Sequence, residues 1–181
     1  MQPFDSFLEW VTEFLGGHLY EGIFLAALIE TIIPPIPTLA IFPTTGFLAS
    51  QQGIPLIGVI PMIILGAIGA TIGTSAIYFI ALKLGRVVLL RYLKYVKVSE
   101  KKLERVENWF EKYGDKAVFL GRMIPVMREM ISIPAGLLKM KIPKFVMYTF
   151  AGSCVWSAAT ILAGYYFGEA IGLANNVTTL P

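Results

Sequence analysis

Between Phe119 and Pro143 the chain reads FLGRMIPVMREMISIPAGLLKMKIP, an apolar run broken by Arg122, Arg128, Glu129 and three prolines. Each arginine offers a planar fork of N–H donors that matches two oxygens of a phosphate at once, which a lysine cannot do. Pro125 stands between them, so they need not keep helical spacing, and a break there can aim both guanidiniums at one anion. A further carboxylate, Glu30, lies at the end of the apolar segment from Leu19 to Ile33. A charge at the centre of a lipid-facing helix costs about 2.5 to 3.5 kcal/mol, so these groups must face protein or water. Two uses are open and compatible: Glu30 and Glu129 neutralise the arginines and brace their segments, or a carboxylate releases an arginine when an anionic substrate arrives. The expected substrate-contacting set is Arg122, Arg128, Glu30, Glu129 and Thr38.

The segments that must hold these groups are unusually apolar. Of the 181 residues 56% are hydrophobic and 15% charged, with a mean hydropathy of +0.69, so lipid is the expected solvent for one multi-pass membrane domain over 1–181. Residues 31–82 carry no charged side chain, yet they contain Pro34, Pro35, Pro37 and Pro43. A helix is expected to break there inside the membrane and turn back, with Gly46 at the turn. Broken backbone at that depth is tolerated only where protein or a wet cavity satisfies it, so the break itself points to a site. Pro125, Pro134 and Gly136 predict a second re-entrant hairpin. Ile54 to Leu82 reads as a spanning helix whose Gly58, Gly66, Gly69 and Gly73 admit a close neighbour. Phe145 to Gly168 reads as the other, its 24 uncharged residues spanning about 36 Å. Residues 3–15 and 86–98 suit helices lying at the membrane surface. Ser99 is a good N-cap for a helix ending at Gly114. The tail from Glu169 is given no element.

All fifteen Lys and Arg lie between Lys83 and Lys144. That asymmetry places residues 83–116 in the cytoplasm of a cell-membrane protein and argues against nucleic acid as a partner. The halves also resemble each other. Pro37, Pro43, Gly46 and Pro55 recur as Pro125, Pro134, Gly136 and Pro143, and the Gly69–Gly85 spacing recurs as Gly152–Gly168. The first spanning helix ends at cytoplasmic Lys83 and the second begins at Lys144. The fold class expected is therefore all-α with two inverted repeats, about 3–98 and 99–170, each a surface helix, a proline-broken hairpin and a spanning helix.

Other chemistry is weakly represented. Cys154 is the only cysteine and His18 the only histidine, so no disulfide, metal or cofactor is expected. The acidic N-terminal stretch does not read as a cleavable signal peptide. An enzyme would need a nucleophile with its base or a carboxylate cluster, and neither stands out. Trp156 reads as packing.

Glu30 followed by PPIP and GFLA (46–49), Gly69 to Gly85 followed by Arg86, FLGRMIPVMR (119–128) with Ala135 and Gly136, and Trp156 with GYYFG resemble the DedA family, also called SNARE-associated Golgi or VTT domain proteins. The resemblance covers about 18–170. It implies a transporter of phospholipid or polyprenyl-phosphate carriers, a flippase or scramblase, with family members linked to the proton-motive force. By position Arg122 and Arg128 match the family's essential arginines and Glu30 its embedded glutamate. Leu39 and Thr74 stand where relatives often have acids, and many relatives carry one more hydrophobic helix after GYYFG, so the chain reads as shorter or truncated. The implied partners are membrane lipids with anionic headgroups, with protons as a candidate and a homodimer left open. The alternative is a proton-coupled or passive carrier of a small ion or solute.

Overall fold

The computed structural model describes residues 17–32, 38–95 and 100–178. They form an all-helical chain: α1 Leu19–Ile32, α2 Thr38–Gln51, α3 Leu56–Tyr95, α4 Glu100–Tyr113, α5 Lys116–Arg122, α6 Pro125–Met130, α7 Ser132–Leu137 and α8 Ile142–Thr178. Within α3 and α8, Leu56–Lys83 and Ile142–Ala174 are long and apolar enough to cross a bilayer. At about 1.5 Å per residue both exceed a hydrocarbon core of about 30 Å. Their outward faces carry Ile57, Ile60, Ile64, Ile72, Met147 and Phe167, exposed apolar side chains that suit contact with lipid.

Turn chemistry sets several boundaries. After α2, Gly53 takes a left-handed φ of 69°, and Ile54 N–H closes back on Ala49 O at 3.0 Å, which ends the helix and reverses the chain. Gly85 (φ 65°, ψ −176°) bends α3 where the cationic stretch begins. Gly114 ends α4, which buries Val106 and Phe110 and exposes Glu104 and Arg105.

The two long helices touch each other, and each also takes one helix from either half of the chain. Helix α1 lies along α3, α2 along α8, α5 against α8 and α7 against α3. Glycines make these crossings close. A Cβ on Gly69 would lie 2.3 Å from Phe24 O, and one on Gly136 2.5 Å from Tyr78 O. Gly46 and Gly164 seal the α2–α8 crossing from both sides, each placing such a Cβ 1.9 Å from a carbonyl, that of Ile161 and of Pro43. One core gathers Ile23, Phe42, Met62 and Ile161; a second gathers Phe110, Ile131, Tyr78 and Phe145, the last two stacked at 4.4 Å.

Four expected break points sit inside helices instead. Pro43 and Gly46 belong to α2, and Pro134 and Gly136 to α7. Pro134 is third in its helix, where its missing N–H would have had no intrahelical acceptor. Pro43 costs α2 one internal hydrogen bond, but packing on Gly164 keeps the helix continuous. Gly46 and Gly136 serve crossings, not turns. Residues 169–178, to which the sequence assigns no element, extend α8. Pro34, Pro35, Pro37, the surface helix 3–15 and the Ser99 cap lie outside the described residues.

Candidate functional site

Arg122 is the last residue of α5 and Arg128 sits in α6. Between them Ile124 is extended (φ −107°, ψ 120°) and Pro125 opens α6, so the expected break occurs there and α6 restarts in a new direction. The break folds the two arginines onto each other: Arg122 Nη1 donates to the carbonyl of Arg128 at 3.1 Å. Gly152 lets α5 approach α8 until its own Cα faces Arg122 Cβ and Phe119 O. Across that contact Arg122 Nε and Nη2 both donate to Ser153 Oγ, at 3.2 and 2.7 Å.

Arg128 reaches the other half of the chain. Its Nη2 donates to Glu30 Oε1 at 2.7 Å, closing a salt bridge between α6 and the end of α1. Its guanidinium carbon lies 5.1 Å from the ring centre of Trp156 and 5.8 Å from that of Phe42, both within cation–π range. Glu30, Arg122 and Arg128 are 1%, 3% and 4% exposed, which rules out solvent-screened surface pairs. In so dry a place the Coulomb attraction offsets desolvation only if nearly every donor and acceptor is used, and the geometry above does that for Arg122 in particular. Phe42, Ala70, Arg122, Arg128, Ser153, Trp156 and Ser157 line a crevice too narrow to hold a water molecule.

The structure thus brings together Arg122, Arg128 and Glu30 from the expected set. Glu129 lies in α6 and Thr38 opens α2; their side chains lie outside the described residues, as does that of Leu39. Thr74 is buried and its hydroxyl donates to the carbonyl of Ala70. Sequence reasoning missed Phe42, Ser153, Trp156 and Ser157. The available signal was the stripe Gly152, Ser153, Trp156, Ser157, small and polar groups one turn apart on an otherwise apolar helix.

The VTT domain family matches residues 36–166. A Bacillus subtilis protein named Undecaprenyl phosphate transporter A is 38% identical over 165 residues, covering 91% of this chain and 78% of its own length. A Staphylococcus aureus protein of the same name is 30% identical over 167 residues, covering 90% of this chain and 81% of its own. A Lactococcus lactis protein named Alkaline phosphatase-like protein is 34% identical over 166 residues, covering 89% and 76%. No solved structure matches. The breadth of the family match and the identity to these relatives make the chain a member of the VTT domain, or DedA, family of membrane proteins.

Proposed function

We propose that the chain carries a phosphate-bearing lipid across the cell membrane, as a flippase or scramblase, its anionic head held by Arg122 and Arg128 while the tail stays in the bilayer. The observation that carries this reading is the burial of both guanidiniums on one crevice between the two long apolar helices, with Glu30 buried against Arg128. Buried charge there is costly, and a site that accepts an anion gives it a use. Relatives named as undecaprenyl phosphate transporters support a polyprenyl phosphate as the substrate class.

In this reading the head displaces the Glu30 carboxylate from Arg128, and its oxygens take over the fork. The two halves act as inverted repeats whose hairpins enter the membrane and return. Equivalent glycines support that reading: Gly69 and Gly152 each admit a helix that leads toward prolines in the sequence, and Gly46 and Gly136 each admit a helix onto the long helix of the other half. The fifteen cations between Lys83 and Lys144 support a cytoplasmic 83–116. Transport without catalysis is supported by the relatives named as transporters.

Purified protein in liposomes carrying labelled polyprenyl phosphate tests this. Wild type should speed transbilayer movement at least about tenfold over empty liposomes, and the Arg122→Ala plus Arg128→Ala double variant should fall to background. Equal rates for both proteins would remove the mechanism. Uptake of a small ion or solute without lipid movement would favour the carrier alternative, and release of inorganic phosphate would favour an enzyme.

A further inference from the structure

Trp156 stands on the crevice wall, one helical turn from Ser153 and adjacent to Ser157 on α8. Its ring faces the Arg128 guanidinium at 5.1 Å, opposite in chain origin to Phe42 of α2. Its indole N–H is shut away from solvent and has no acceptor among the described residues. A buried, unsatisfied donor is uncommon in a folded protein and destabilises it by about 1 to 3 kcal/mol, so its presence calls for a reason. Among the described residues the other buried groups without a partner, such as Trp109 Nε1, Ser132 Oγ and Thr149 Oγ1, do not line the crevice, and the hydroxyls of Thr31, Thr45, Thr71 and Thr160 each donate to the carbonyl four residues back. An indole has no such route, because its N–H lies at the far edge of a rigid ring.

We propose that Trp156 is a substrate-binding residue with two separable parts: its N–H is a neutral third donor to the phosphate head, and its ring is the surface on which Arg128 rests once Glu30 has let go. This rests on the phosphate reading of the same crevice and deepens it. The two arginines supply charge, which any phosphate would satisfy. The indole supplies a donor that needs no counterion and an apolar plate beside it, which suits a phosphate monoester attached to a hydrocarbon tail better than free phosphate. Arg122 remains anchored on Ser153 throughout, so the group that moves on binding is Arg128, and the ring keeps that movement short.

Two variants separate the parts. Trp156→Phe keeps a ring for Arg128 and removes only the N–H, whereas Trp156→Leu removes both. Binding of a soluble short-chain prenyl phosphate to the detergent-purified full chain is measured by calorimetry, with inorganic phosphate as a second probe, alongside thermal unfolding of each variant. Trp156→Phe should weaken prenyl phosphate binding about tenfold, leave unfolding unchanged or raise it slightly, and reduce the preference over inorganic phosphate. Trp156→Leu should weaken binding further. Wild-type affinity in Trp156→Phe would overturn the donor role, and equal losses in both variants would overturn the role of the ring. If the Arg122→Ala plus Arg128→Ala variant also bound prenyl phosphate normally, the phosphate reading itself would fall; if it alone lost binding, only this inference would.

Discussion

Arg122 and Arg128 are chemically alike but are held in different ways. Arg122 is tied within the second half of the chain, to Ser153 and to the Arg128 carbonyl, and its position follows from the α5–α8 contact at Gly152. Arg128 is tied to the first half through Glu30, and in the proposed mechanism it is the group the lipid head recruits. Arg128→Lys keeps the charge but loses the planar fork, and should cut transport at least about tenfold with little change in folding. Removing one partner of a buried pair leaves an uncompensated charge at a cost of about 3 kcal/mol or more. Glu30→Gln should therefore lower the unfolding temperature in detergent, and the Glu30→Gln plus Arg128→Gln double variant should recover much of the loss. Additive losses in that cycle would show that the two side chains are not coupled. The arginines and Glu30 were legible in the sequence because charge stands out against apolar surroundings. Trp156, Ser153 and Phe42 were not, because a tryptophan, a serine and a phenylalanine in an apolar helix look like packing until a neighbouring helix turns a guanidinium toward them.

At the level of elements, small residues control the site by controlling distance. Gly46 and Gly164 bring α2 onto α8 at backbone contact, and this crossing carries Phe42 toward Arg128. Gly164→Leu should unfold or strongly destabilise the protein, since its Cβ alone would overlap the Pro43 carbonyl, whereas Gly172→Leu, on the same helix but facing open space, should be neutral. Thermal unfolding of the two variants side by side checks this. The glycine spacing on α3 announced a close neighbour, and α1 is that neighbour. Proline was the less dependable sign. Pro125 does open a new helix after an extended residue, but Pro43 and Pro134 stay within helices, because a first-turn position or a tightly packed neighbour removes the penalty that a lone helix in water would suffer. The helical extension through residues 169–178 was illegible for a related reason: its sequence has no strong apolar period, and only continuity with α8 makes it helical.

For the whole molecule, the proposed transport requires that the crevice between the two long helices open to each side in turn. The proposed cytoplasmic placement of residues 83–116 is tested at Glu104, on the exposed face of α4: a cysteine there should be labelled by thiol reagent added from the cytoplasmic side and not from outside. Passage of the lipid head through the crevice is best followed at Ser157, which is 1% exposed and lines it. In a Cys154→Ser background, Ser157→Cys reconstituted in sealed vesicles is treated with membrane-impermeant thiol reagent from one side or the other. Labelling should be slow from both sides and suppressed from both by polyprenyl phosphate; labelling from one side only, or no protection by the lipid, would overturn the proposed transport through the crevice.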